Sequence, residues 1–256
     1  MKIQPMEIGF GAVVEGADLK HANPAEAQAL RAALLEHGLL VLRGQALTPH
    51  ELVAASGMFG ALETFPPSAS QLPGLPQVFR VASRGIDGHV DVGRYWHSDG
   101  SFRELPTPIS IWYPEARAAQ GGDTLFTDLR EAWATLPDAT RAEIGGLHTL
   151  HRNGVRHPLA MRHPHSGAEA LYLNVGLTGG VEGMEPAAAA ALIGTLDRHL
   201  SRPGATYRHQ WQEGDVVVAD NFRVAHQATP VGPDQRRILN RTTVRGGGAF
   251  WERLAA

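Results

Sequence analysis

The chain has 256 residues, 43% of them hydrophobic, and a formal charge of −3 at neutral pH. That length fits one large domain (1–256) with a sizeable core, and the charge balance supplies no basic field for nucleic acid or an anionic membrane surface. The lack of cysteine excludes disulfides, thiolate metal sites and cysteine nucleophiles, so any metal must be held by His, Asp, Glu or water.

The opening "MKIQPMEIGFGAVV" has no apolar core of a signal peptide, and the longest apolar run, near "PAAAAALIG", is too short to span a bilayer. The expectation is a cytoplasmic protein with no membrane partner. Residues 22–60 read as a helical layer. Asn23 can cap a helix, Pro24 suits its first position, "AEAQALRAALLEH" has helical spacing, and Gly38 fits its end. "LLVLR" then reads as a buried strand. Thr48, Pro49 and Glu51 predict a second helix opened by a capping box and closing near Gly60.

Residues 64–93 are rich in Pro, Gly and Ser, with one short strand at "QVFRV", and predict a substrate loop or lid. From Tyr95 onward strands dominate: "ISIWY", "LYLNV", "TYRHQW", "DVVVAD" and "RILNRTTVR", interrupted by helices at about 128–136 and 186–200. The fold class is therefore mainly β with added helices, a sandwich or barrel.

"YWHSDGSF" holds His97 and Asp99, two apart, which on an extended strand share a face. A lone His-x-Asp triplet is common by chance, and His89–Asp91 in "GIDGHVDVG" is a second one. A mononuclear iron oxygenase needs two His and one carboxylate on one face of the metal. His226, just beyond "VVVADN", is the candidate third ligand. Arg237 and Arg241 follow it by eleven and fifteen residues and share a strand face, a pair of planar forks suited to carboxylates. His89 and Asp91 lie in a glycine-containing loop, and "RHPHSG" with His163 and His165 has turn composition, so neither is assigned a metal.

These motifs carry a resemblance. "LLVLRGQ", "FGALE", "WHSDGSF", "GGDTLFTD", "HPHSGAEALYLN", "WQEGDVVVADNFRVAHQ" and "RRILNRTTVRG", in this order, resemble the taurine dioxygenase / 2,4-dichlorophenoxyacetate dioxygenase family of Fe(II)- and 2-oxoglutarate-dependent oxygenases. The resemblance implies a double-stranded β-helix, or jelly roll, with His97, Asp99 and His226 as iron ligands. It implies that Thr124 of "GGDT" and Arg237 bind the distal carboxylate of 2-oxoglutarate, and that Arg241 meets an anionic group of the prime substrate. By formal charge, Fe(II), Asp99 and 2-oxoglutarate leave one negative charge, which Arg237 neutralises in a water-poor pocket. The implied reaction uses O2, converts 2-oxoglutarate to succinate and CO2, and hydroxylates a substrate C–H bond.

The substrate region departs from the taurine pattern. Phe65 stands where a histidine is expected, Ser68 for a tyrosine and Gly93 for an asparagine, which argues for a more apolar substrate than taurine. Phe65, Tyr95 and Phe102 are the candidate pocket walls. The implied partner is a small molecule, and family habit adds a homo-oligomer. A non-catalytic jelly-roll module that binds metal or ligand is the alternative; the two arginines and Thr124, a clamp such a module does not need, count against it.

Overall fold

The computed structural model describes residues 1–68, 71–90, 92–247 and 250–255. The N-terminal third comprises β1 (Lys2–Pro5), β2 (Ala12–Glu15), α1 (Pro24–His37), β3 (Leu39–Leu42), α2 (Pro49–Ser56) and β4 (Phe79–Ala82). Next come β5 (Ile109–Ala116), β6 (Thr124–Asp128), α3 (Leu129–Ala134), α4 (Asp138–Ile144), β7 (His148–His151), β8 (Arg156–Pro158), β9 (Ala160–Arg162), β10 (Glu169–Leu171) and β11 (Thr178–Val181). The rest comprises α5 (Pro186–Leu200), β12 (Thr206–His209), β13 (Val216–Asp220), β14 (Val224–Ala228), β15 (Ile238–Val244) and α6 (Phe250–Ala255).

Seven strands form the major sheet in the order β1-β2-β3-β13-β5-β15-β4, and β12-β6-β14 form a smaller sheet. Two faces of the major sheet explain its apolar runs. Leu40, Leu42, Val216 and Val218 pack with Leu30, Leu34 and Leu52 of α1 and α2, while Leu39, Val41, Val217 and Ala219 pack with Phe126 and Val224 of the smaller sheet. A strand covered on both sides loses polar alternation, hence "LLVL" and "VVV". The result is a sandwich, as the strand pattern predicts, of the jelly-roll kind the resemblance implies, with helices on one outer face and a second lobe around α3, α5 and β7 to β11.

Both N-terminal helices begin as the sequence predicts. Asn23 and Thr48 each accept from the backbone N–H three residues on, and Glu26 and Glu51 return the bond. Each such cap contributes about 1 kcal/mol. The second helix stops earlier than expected, at Ser56, and tightens into a 3-10 turn over Gly57–Phe59. "LYLNV" is also shorter as a strand than predicted. Only Leu171 lies in β10; Tyr172 and Val175 donate single backbone bonds to Leu159 and Trp96, and the chain passes from buried coil at Tyr172–Asn174 into a turn at Val175 without a ladder. α4 and the hairpin β7–β8 were not expected from the sequence.

Candidate metal and co-substrate site

His97 and Asp99 do not lie on a strand. His97 is an isolated bridge to His226, made by His97 N–H to the His226 carbonyl (3.1 Å) and the reverse bond (2.8 Å). The reciprocal pair fixes one histidine beside the other, and their rings lie 4.1 Å apart. Asp99 sits in the turn that follows, where its N–H donates to Asn221 Oδ1 at 3.1 Å. His226 comes from the middle of β14, opposite Phe126 of β6.

The three donor sets converge. Among the described residues His97, Asp99 and His226 form the one group of three or more His, Asp or Glu ligand atoms within 4.8 Å of one another, and all three residues are buried. His97 Nε2 is 4.0 Å from Asp99 Oδ1, and His226 Nε2 is 3.9 Å from Asp99 Oδ2. The His97 Nδ1 partner is the Tyr95 carbonyl, 2.9 Å away. A carbonyl only accepts, so Nδ1 carries the proton and Nε2 keeps its lone pair for a metal. Burial lowers the pKa of His97, and that of His226 far more, keeping both rings neutral as ligation requires. Burial raises the Asp99 carboxyl, but the Arg241 guanidinium beside it opposes that shift and the carboxyl is held at about 2. Two neutral nitrogens and one carboxylate fit a 2-His-1-carboxylate iron site.

The expected clamp surrounds this group. Thr124, the first residue of β6, accepts from Arg237 Nη2 at 3.3 Å. Arg237 is buried with its Nε unpartnered, and burial lowers its pKa to about 10. Its stem passes over Gly122, where a Cβ would lie 2.9 Å from Arg237 Cδ, which explains a glycine before Asp-Thr. Arg241, on β15 beside Trp112, donates to Asp99 Oδ1 at 2.5 Å and holds its guanidinium carbon 4.6 Å from the Phe79 ring centre. His97, His226, Thr124, Arg237 and Arg241 line one pocket, with Trp112, Val81, Leu239 and Gly93 as its other walls. Gly93 approaches so closely that a Cβ would meet His97 Cε1 at 2.5 Å.

The candidate substrate residues separate. Phe65 lines an apolar cavity of about 220 Å³ with Pro66, Pro67, Val78, Phe79 and His89. Tyr95 is half-buried, its ring 5.4 Å from that of His97. Phe102 is 49% exposed on the loop after Asp99, against Arg103, and is not brought to the pocket. Of the rejected histidines, His89 stacks on Phe79 at 4.2 Å, and Asp91 lies outside the described residues. His163 meets Asp220 Oδ2 at 2.7 Å and accepts from the N–H groups of His165 and Ser166, a structural tie.

Sequence reasoning missed three buried groups that hold the site. Trp211, buried beside the clamp, donates through Nε1 to Thr124 Oγ1 at 3.0 Å. Ser110 donates to Asp99 Oδ2 at 2.7 Å, and Asn221 Nδ2 donates to Ser110 at 2.9 Å. The signal for Asn221 was its place after the buried run "VVVAD"; Ser110, inside an apolar strand, was a buried hydroxyl that needed a partner.

The family model for taurine catabolism dioxygenase TauD, TfdA family, matches residues 2–243. The chain is 30% identical to the alpha-ketoglutarate-dependent 2,4-dichlorophenoxyacetate dioxygenase of Cupriavidus pinatubonensis, over 93% of this chain and 96% of that protein. It is 29% identical to the (S)-phenoxypropionate/alpha-ketoglutarate-dioxygenase of Sphingobium herbicidovorans, over 99% and 98%. Among solved structures, a putative alpha-ketoglutarate-dependent taurine dioxygenase from Burkholderia xenovorans superposes with a TM-score of 0.86 at 31% identity, covering 96% of this chain and 90% of that one. AAD-2 in complex with Mn(II) and N-oxalylglycine gives 0.87 at 26% identity, covering 96% and 98%. The chain belongs to the TauD/TfdA family of iron- and 2-oxoglutarate-dependent dioxygenases.

Proposed function

We propose that this enzyme hydroxylates an unactivated C–H bond of a small organic anion with an apolar body, releasing succinate and CO2 from 2-oxoglutarate. The observation that carries the reading is the presence of the His97–Asp99–His226 group, the Thr124–Arg237 clamp and a second buried cation, Arg241, around one pocket. In this reading His97, Asp99 and His226 would hold the iron, which together with 2-oxoglutarate and O2 supplies the oxidising power for C–H cleavage.

The residues do the rest. Arg237 presents its fork to the distal carboxylate of 2-oxoglutarate, and Thr124 adds a hydroxyl. Thr124 Oγ1 already accepts from Trp211 and Arg237, so its own proton is free to donate to that carboxylate. With Arg237 bringing the count to zero, Arg241 leaves one positive charge, which a substrate anion would balance. Trp112, Val81 and Leu239 keep water from the reacting carbon. The apolar cavity along Phe65 and Phe79, whose ring also meets Arg241, suits an aryl or alkyl body and does not suit taurine. The relatives named for 2,4-dichlorophenoxyacetate and phenoxypropionate agree with that choice. The reading extends to one catalytic unit over 1–256, a small-molecule partner without nucleic acid or membrane, and a homo-oligomer measurable by light scattering. Among the described residues no helix is long and apolar enough to cross a membrane.

The test is succinate release in the presence of Fe(II), 2-oxoglutarate and O2 with phenoxyacetate, phenoxypropionate, an alkyl sulfate and taurine in turn. Stimulation by an aryloxy acid with oxidised product, and none by taurine, is expected. Taurine as the best substrate, or no response to any anion, would refute the proposal.

A further inference from the structure

Asp99 has no ladder to hold it. It follows the His97 bridge in a turn, yet it is 6% exposed and must face two histidines. The groups that meet it come from the centre of the major sheet. Ser110, on β5 between Ala219 of β13 and Thr243 of β15, donates to Asp99 Oδ2 at 2.7 Å. Asn221, just after β13, accepts the Asp99 N–H through Oδ1 at 3.1 Å and donates through Nδ2 to Ser110 Oγ at 2.9 Å. Both residues are fully buried.

Only one orientation of this ring satisfies its members. The Asp99 N–H needs an acceptor and the carboxylate needs a donor, so Asn221 turns Oδ1 to the backbone and Nδ2 to the hydroxyl. The Ser110 hydroxyl then has its single proton committed to Oδ2. The backbone of Asp99 is thus fixed by Asn221, and its carboxylate is held at Oδ2 by Ser110 and at Oδ1 by Arg241 of β15, which donates at 2.5 Å.

We propose that Ser110 and Asn221 are positioning residues of the metal site, setting the plane of the Asp99 carboxylate toward His97 and His226. Ser98 provides the contrast. It lies between His97 and Asp99 and is equally buried, but its hydroxyl donates away from the site, to the Val224 carbonyl at 3.3 Å.

The inference rests on the metal reading of the triad, and Mn(II) binding followed by electron paramagnetic resonance of the free ion tests it without turnover. Ser110→Ala and Asn221→Ala are each expected to weaken Mn(II) binding roughly ten- to a hundredfold. The double variant should lose less than the two effects combined, because both act through one carboxylate. Ser98→Ala should stay within about twofold of the wild type, and Asn221→Ala supplies the same test if Ser110→Ala does not fold. Metal-free Tm is measured alongside. Folded Ser110→Ala and Asn221→Ala binding Mn(II) as tightly as the wild type would overturn the inference. So would a loss that tracks Tm across all variants, Ser98→Ala included. A wild type that binds no Mn(II) would instead sink the metal reading itself.

Discussion

Gly122→Ala isolates the co-substrate clamp from the metal group. At φ +71 an added Cβ would lie 2.9 Å from Arg237 Cδ and 3.1 Å from Val231 Cγ2. Carbon atoms in ordinary contact stand about 3.5–4.0 Å apart, so the Arg237 stem must yield by roughly 0.6 Å or more. The left-handed backbone adds about 1–2 kcal/mol of destabilisation for an L side chain. A hydrogen bond to a charged group contributes about 1.5–3 kcal/mol, so losing one arm of the fork predicts 2-oxoglutarate binding roughly ten- to a hundredfold weaker. The assay is an anaerobic titration of the Fe(II)-loaded protein with 2-oxoglutarate, followed by the visible charge-transfer band, with Mn(II) affinity measured in parallel. The expected result is a large fall in 2-oxoglutarate affinity at unchanged metal affinity. A folded variant that binds 2-oxoglutarate within twofold of the wild type, or that loses both affinities together, would refute the reasoning.

Three further outcomes follow from the same geometry. Trp211→Phe removes the donor to Thr124 Oγ1 while keeping most of the packing; the same titration should show 2-oxoglutarate binding roughly fivefold weaker, about 1 kcal/mol, with Mn(II) affinity unaltered. Gly93→Ala, with φ +70 and a Cβ that would lie 2.5 Å from His97 Cε1, should cut Mn(II) affinity at least tenfold, since the ring must turn; wild-type affinity would contradict it. His151 is buried with both ring nitrogens unpartnered, and burial lowers its pKa to about 4. Between the ordinary imidazole value of 6.5 and about 4 the unfolded chain binds the proton and the folded one does not, so its contribution to stability falls as pH drops through this window. Tm measured across this range should decline less steeply in His151→Leu than in the wild type, and an identical slope would count against the assignment.

Much of the site was legible because its chemistry sits in side chains of rare type at fixed spacing. Arg237, one residue before β15, and Arg241 within it line the same pocket as His226, as their spacing predicts. The same rule misdescribed His97 and Asp99, which share a face through a bridge and a turn and not through a strand. The helix ends were legible because caps are local. The contacts of Trp211, Ser110 and Asn221 were not, because each depends on a register between strands distant in sequence. His209 opposite Thr124 brings Trp211 to that hydroxyl, and Ser110 opposite Thr243 and Ala219 brings it under Asp99. Phe102 stands apart from the pocket for the opposite reason: its neighbours in sequence are in the site, but beyond the turn at Gly100 its ring is exposed.

The bridge between His97 and His226 has a consequence for how the chain acquires its metal. The two histidines belong to segments separated by most of the second half of the sequence, so neither can gather the ligand set before the β14 segment has closed against the turn holding Asp99. Closing so long a loop carries an entropic cost that local helices do not bear. The denatured chain therefore offers scattered imidazoles and no preassembled trio, and a divalent cation selects the native state over it. By mass action a concentration one hundred times the dissociation constant adds about 2.7 kcal/mol to native stability. Melting temperature becomes a titration curve for the cation, and the folding equilibrium reports on the centre without any turnover.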